Sequence, residues 1–376
     1  MTTKGRQAGF SIIELLIVIG IFSLVIIAAS QSFVPLLTQS KQQSKIAATN
    51  IEGMLGLEVL RRDIAHAGYG LYWGLDPKSS PTPTPTYVEV TAGSDLNGAA
   101  LNDAPNGIPR PIVIGGGRGL NGSDRLAVKA VNVVSNELSE RWTYLYTSPI
   151  YTTLIKSPTT ENIGSGEYVI VVRPDQTNRS LHFTTTFAGS SLFNGVLANY
   201  DTPETTSLIF SLGTTAPPKM TFNRADFYIA NANVPTRCAQ GTGVLYKAVV
   251  NQAVGSTGFL TPLALLDCVA DMQVAYRFDS DGDGYADTSA DATADQPVDA
   301  TSSRQIREVR VYLLVQEGQK DLGFTYSNNI VRVGEAGLYG RDFDLGATIT
   351  NWQNYRWKLY TMIVEPMSLL DWTVAP

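Results

Sequence analysis

Cysteine and histidine are nearly absent from this chain: 376 residues hold two of each. Cys238 and Cys268 are too few for a multi-thiolate metal centre, and His66 and His182 too few for a multi-histidine one. There is no HExxH, GxSxG, Walker A or CxxC pattern. No residue stands out as a catalytic candidate, so the sequence reads as a non-enzyme. Basic clusters are missing too. The formal net charge is −6, and Lys and Arg occur only as scattered pairs such as Arg61-Arg62, so no nucleic-acid partner is expected. Apolar residues make up 44%, enough for a sizeable core.

What the chain does have is one long apolar run, residues 10–29, FSIIELLIVIGIFSLVIIAA, with Glu14 set inside it. As a helix, about 20 residues cover the roughly 30 Å of a bilayer core. The preceding MTTKGRQAG carries Lys4 and Arg6 and no acid, which places this end in the cytoplasm and the residues past about 30 on the other side. An ordinary secretory signal, cut near Ala28-Ala29-Ser30, or a simple anchor would account for the run. Neither accounts for Glu14, because a carboxylate within the bilayer costs roughly 3 kcal/mol or more.

The run Gly9-Phe10-Ser11-Ile12-Ile13-Glu14 resembles the class III signal of type IV prepilins. The resemblance implies that a prepilin peptidase cuts between Gly9 and Phe10 and that the new N-terminus at Phe10 is methylated. Glu14 then becomes an assembly residue whose carboxylate meets the amine of a neighbouring subunit. The physics agrees: a buried charge is tolerable when paired and costly when it is not. Downstream, EVLRRDIAHAGYG, GSDRLAV, RCAQGTGVLYKAV, CVADMQVAYRFDSDGDG and REVRVYLLVQ resemble the PilW-type minor pilins. The LRRDIxxA phrase is also similar to the J-type pseudopilin of type II secretion. These resemblances imply a low-abundance subunit that primes pilus assembly and sits at the tip. Its partners would be other minor and major pilins, the prepilin peptidase, the pilus assembly platform and the inner membrane. A tip adhesin is a further alternative. The implied location is a single pass in the inner membrane with a periplasmic head, then an extracellular pilus.

The expected organisation is a leader over 1–9, a helix over 10–67 and an extracytoplasmic head over 68–376. That is an α+β chain with a long N-terminal helix, transmembrane over 10–29, and a large, mainly antiparallel β head of pilin-like type. Ile51, Met54, Leu57, Leu60 and Ile64 recur at helical spacing and predict an apolar stripe. Pro35 predicts a kink or local opening, Gly53 and Gly56 a weakened helix, and Gly68 a stop. His66 reads as a cap or surface residue and His182 as a strand residue. Lys78 to Thr86, KSSPTPTPT, reads as an extended polyproline-like loop. Strands are expected over 126–134, 168–172, 220–229, 244–250, 269–278, 306–315 and 357–364, the sixth with alternating apolar residues.

Three features of the head invite functional readings. Gly117, Gly119 and Gly122 spell GxGxxG, but a strand-like RLAV follows where a dinucleotide site needs a helix, so the glycines read as a turn. Asp279, Asp281, Asp283 and Asp287, with the Tyr285 carbonyl and Gly284 at the turn, match the start of an EF-hand-like loop. They suggest a structural Ca2+ site. The twelfth position is Ala290 rather than Glu, leaving Asp291 or a distant acid to complete the shell; a solvated acidic loop, continued by Asp295 and Asp299, is the alternative. Cys238 and Cys268, outside the cytoplasm, read as a disulfide worth about 3 kcal/mol. Two separate buried thiols are the alternative.

Overall fold

In the computed structural model one helix, α1 (Ile12–Ala65), begins at Ser11 and runs unbroken through Pro35. Ser11 caps it: its hydroxyl accepts the Ile13 N–H at 3.2 Å, one of the donors that a helix start leaves unsatisfied. The expected opening at Pro35 does not interrupt the element. A proline deletes a single donor, and the turns on either side keep theirs. The described residues are 9, 11–75, 87–91, 98–103, 108–133, 141–147, 152–155, 163, 167–174, 179–186, 205–213, 218–253, 255–256, 258–279, 281, 283–287 and 305–369. Lys4, Arg6, Phe10, the Pro-Thr stretch 78–86, Ala290, Asp291, Asp295 and Asp299 fall outside them.

The chain divides into two compact units, Met1–Ile51 and Glu52–Pro376. The first holds residues 12–51 of α1. Apolar side chains from Ile12 to Ile27, Leu16, Phe22 and Leu24 among them, are exposed. The segment Ile12–Gln31 is long and apolar enough to cross a bilayer.

The second unit holds the last turns of α1 and the strands. Those strands are β1 (Gly74–Leu75), β2 (Ile112–Gly115), β3 (Arg125–Ala130), β4 (Trp142–Thr147) and β5 (Thr152–Ile155). Next come β6 (Tyr168–Pro174), β7 (Arg179–Thr186), β8 (Thr205–Gly213), β9 (Asn223–Ala230) and β10 (Gly243–Val249). The series closes with β11 (Leu263–Phe278), β12 (Ile306–Glu317), β13 (Ile330–Glu335), β14 (Tyr339–Asp344) and β15 (Arg356–Val364). A seven-stranded sheet has the order β15-β12-β11-β10-β9-β3-β2, antiparallel throughout. A six-stranded sheet, β1-β7-β6-β8-β4-β5, is antiparallel except for the β1–β7 pair. Strands β13 and β14 form a separate hairpin. The class is α+β with a mostly antiparallel head, as expected.

Alternation along β12 builds two cores. Val309, Val311, Leu313 and Val315 join Leu60 and Ile64 of α1 on one face of the large sheet. Tyr312 and Leu314 pack on the other face against Val333, Phe343, Leu345 and Trp357. Each fully buried aliphatic side chain contributes about 1.5–3 kcal/mol, so both faces of this strand are committed to the fold.

The helix meets the sheet in a different register from the expected stripe. Leu60 and Ile64 are fully buried and Leu57 packs beside them, but Met54 is 71% exposed. Gly53 and Gly56 occupy the buried face instead. A β-carbon on Gly56 would lie 1.9 Å from the Leu265 carbonyl oxygen, so the missing side chain is what lets helix and β11 approach. The glycines that should have weakened the helix seat it. After Ala65 the chain turns through Gly68, φ +83°, whose N–H bonds to the Lys129 carbonyl. His66 contacts the Arg62 carbonyl through Nδ1 at 2.8 Å, closing the last turn.

A buried charge network ties Glu89, in the described stretch 87–91, to β3 and β9. Glu89 meets Lys129 at 2.9 Å and Arg224 at 2.8 Å, and Asp226 meets Arg224 at 2.7 Å and Arg125 at 3.0 Å. Burial pushes the Glu89 carboxyl up, but the Lys129 and Arg224 charges more than offset it and hold it down to about 2. Every one of these groups is almost fully buried, so removing one strands a partner without compensation.

Candidate assembly helix and acidic loop

At the head of α1, Glu14 stands on the first turn and its Oε2 accepts the Ser11 backbone N–H at 3.0 Å. With the Ser11 hydroxyl on Ile13 this makes a capping box, Ser-x-x-Glu, in which each side chain satisfies a donor at the helix start. The sequence assigned Glu14 an assembly role but did not reveal this capping role. The Ser11–Glu14 spacing was the available signal. Among the described residues no cation pairs with Glu14, and the side chains around it are apolar and exposed. Gly9 is exposed, and a β-carbon there would touch nothing. Among the described residues no packing contact calls for glycine at that position. Phe10 lies outside the described residues.

The acidic loop leaves the end of β11. Asp279, Asp281 and Asp283 each bring a carboxylate oxygen to within 4.8 Å of the others, Asp279 buried and the other two exposed. Backbone donors shape the turn: Gly284 N–H to Asp279 Oδ2 at 2.9 Å, Asp283 N–H to Asp281 at 3.2 Å, and Tyr285 N–H to Asp283 at 2.8 Å. Gly284 has φ +91°, which its position in the turn requires. Asp287 is not part of the trio; its N–H closes the loop on the Phe278 carbonyl at 2.8 Å. The Tyr285 side chain points to solvent. Three carboxylates fit a hard divalent cation, which takes oxygen ligands. The structure also qualifies the argument from repulsion. Arg307, at the start of β12, places Nε 2.9 Å from Asp279 Oδ2 and already neutralises one of the three.

The cysteines are bonded. Cys238–Cys268 is a disulfide with Cα atoms 5.0 Å apart, linking the loop before β10 to β11. Cys268 has φ +57°, at an irregularity in the β10–β11 ladder. The glycine-rich motif is a turn: a short 3-10 segment, Leu120–Gly122, precedes β3, and no helix follows. His182 lies in β7.

Comparison with known proteins adds two matches. Residues 227–365 match the family described as Type IV Pilus-assembly protein W. Residues 4–30 match the prokaryotic N-terminal methylation motif. Together they support a PilW-type, prepilin-like chain related to type IV pili. The first match runs from within β9 to the end of β15 and includes both cysteines and the acidic loop. The second includes Gly9, Phe10 and Glu14. Residues 31–226, and with them the whole six-stranded sheet, lie outside both. No curated protein and no solved structure matches the chain. The N-terminal helix and its motif fit a membrane-anchored pilin.

Proposed function

We propose that this chain is a minor subunit of a type IV pilus that helps to start filament assembly and stays at the tip. Prepilin peptidase would remove residues 1–9 and methylate Phe10. The helix would hold the chain in the inner membrane with the head in the periplasm, until assembly platform and fellow pilins draw it into the filament. The observation that carries this reading is Glu14: a carboxylate on an exposed apolar helix, held only by its own capping box, inside a segment matching the methylation motif. An amine on a neighbouring subunit lowers its electrostatic cost, so the helix gains by leaving the lipid for the filament. The PilW match supports the pilus over the type II secretion machine. The test is mass spectrometry of the chain from sheared pili. N-methylated Phe10 is expected there, and an intact leader would overturn the reading.

The acidic loop is proposed to hold a structural Ca2+ through Asp279, Asp281 and Asp283, with the Tyr285 carbonyl and Asp287 as further candidates. A bound divalent cation would supply charge compensation that Arg307 alone gives to only one carboxylate. Calcium should raise the melting temperature of the protein and Asp281→Ala should abolish the rise. No change on chelation would leave an acidic loop stabilised by Arg307.

A further inference from the structure

The second unit contains a recess that neither the pilus match nor the acidic loop explains. Its volume is about 380 Å³, and it lies where the turn before β3, the loops on either side of the disulfide-linked segment and the helix α2 (Leu345–Thr348) converge. Such a volume suits a small ligand. Its side chains are carboxamides and hydroxyls: Asn121, Asn231, Gln240, Thr242, Thr348 and Thr350. Leu120 supplies one apolar wall, and among the described residues no charged side chain lines it.

Two observations mark it as a built site. The first is where the backbone is bent. Among the described residues, four non-glycine positions have left-handed φ: Asn121, Asn233, Cys268 and Asn351. Asn121 lines the recess, Asn351 follows Thr350, Asn233 lies two residues past Asn231, and Cys268 is bonded to Cys238, two residues before Gln240. Unfavourable backbone concentrates where a fold holds a binding surface in shape. Gly241 adds to this: at φ +106°, its β-carbon would lie 2.4 Å from the Thr348 carbonyl oxygen.

The second is the division of labour among the polar groups. Asn121 is fixed from behind. Its Nδ2 donates to the Gly241 and Ala270 carbonyls at 2.8 and 3.2 Å, and its own carbonyl accepts Arg341 at 2.8 Å. Arg341 is in turn paired with buried Asp271 at 2.8 Å. Thr242 donates to the Ala239 carbonyl. By contrast, no described side-chain hydrogen bond engages Asn231, Gln240, Thr348 or Thr350. A rigid, neutral frame thus presents amides and hydroxyls at its mouth.

We propose that this recess binds a neutral saccharide. Carboxamides offer a donor and an acceptor side by side, matching the paired hydroxyls of a sugar ring. An ionic ligand would find no counter-charge among the described lining side chains, and the apolar surface is that of Leu120 together with threonine methyl groups. The site is independent of the assembly role, since it contains no residue of α1.

The test uses the full chain in micelles of lauryldimethylamine oxide, a detergent without a sugar headgroup. Methyl glycosides of glucose, galactose, mannose, fucose, N-acetylglucosamine and N-acetylgalactosamine are the probes, with glucuronic acid, sialic acid and Ala-Gly-Ala amide as controls, read by saturation-transfer NMR and titration. At least one should bind with a dissociation constant of about 1 mM or tighter. Thr350→Arg, which fills the mouth from an exposed position, should weaken it by about tenfold or more. Gln240→Ala should weaken it less. Circular dichroism melting of both variants checks that they fold. Four results would overturn the proposal: no glycoside binds, binding survives Thr350→Arg, only uronic or sialic acids bind, or the neutral peptide Ala-Gly-Ala amide binds instead. Incorporation into sheared pili is a separate readout and is expected to be normal in both variants.

Discussion

Near its start α1 carries Glu14, exposed among apolar side chains, and near its end it carries Asp63, buried beside Lys247. The same chemical group is treated in opposite ways. Asp63 Oδ2 lies 2.6 Å from the Lys247 ammonium, which also donates to the Val133 carbonyl at 2.8 Å. Burial pushes the Asp63 carboxyl up, and the Lys247 charge pulls it partway back. Glu14 has a backbone N–H and no cation among the described residues. The fold therefore answers one carboxylate with a cation and, among the described residues, gives the other only a backbone N–H. Asp63 locks the helix to β10.

The comparison breaks most sharply at Lys247. Replacing it with Met leaves Asp63 buried without its cation, and should cost about 3–5 kcal/mol in denaturant unfolding of the detergent-solubilised chain. A loss below about 1 kcal/mol would mean that Asp63 is wetter than the structure shows. Gly56→Ala comes next. Helix propensity alone favours alanine by about 1 kcal/mol, but the 1.9 Å approach to a strand carbonyl cannot relax easily. The net result should be a loss of about 1–3 kcal/mol. A gain would show that the helix is not seated on β11.

A smaller, pH-dependent effect belongs to Asp63 itself. Its folded pKa is raised, so its contribution is fully present below the ordinary carboxylate value of about 3.8 and is lost as pH rises through the raised value. Wild type should therefore lose stability relative to Asp63→Asn as pH climbs from about 3.8. A difference that stays flat with pH would remove Asp63 as the cause. The smallest effect on stability should come from Glu14→Gln, within about 0.5 kcal/mol, while the variant disappears from sheared filaments. Normal filament levels of that variant would end the assembly role for Glu14.

Legibility from sequence followed how local each signal is. The anchor was legible because a twenty-residue, mostly apolar run and a fixed motif need no tertiary partner. Strand β12 was legible because its alternation is real: Val309, Val311 and Leu313 face α1 while Tyr312 and Leu314 face the hairpin. Strand β11 was found only from Val269, although it starts at Leu263. The left-handed Cys268 shifts the register there, so the apolar phase before it does not continue the phase after it. Strands β4, β5 and β8 were missed where threonine and serine replace clear alternation, β7 was read only at His182, and β13 and β14 were missed because much of the hairpin is exposed.

The acidic loop was half legible. Spacing placed Asp279, Asp281 and Asp283 together, but Arg307 is 28 residues beyond Asp279 and reaches it only because β11 and β12 pair antiparallel. The polar recess was not legible at all, since its residues come from segments around 121, 240 and 350 and carry no common motif.

By itself, the sequence determined the membrane-length helix, the position of Glu14 within it, the antiparallel β character of the head and the pairing of its only two cysteines. Those follow from composition, period and count. Only the tertiary structure decided which face of α1 is buried, that Gly56 seats it, that Asp63 is answered by Lys247 and that Arg307 sits among the acids. Each of these depends on chain segments far apart in sequence arriving at one place, and close packing and charge pairing act on distance in space.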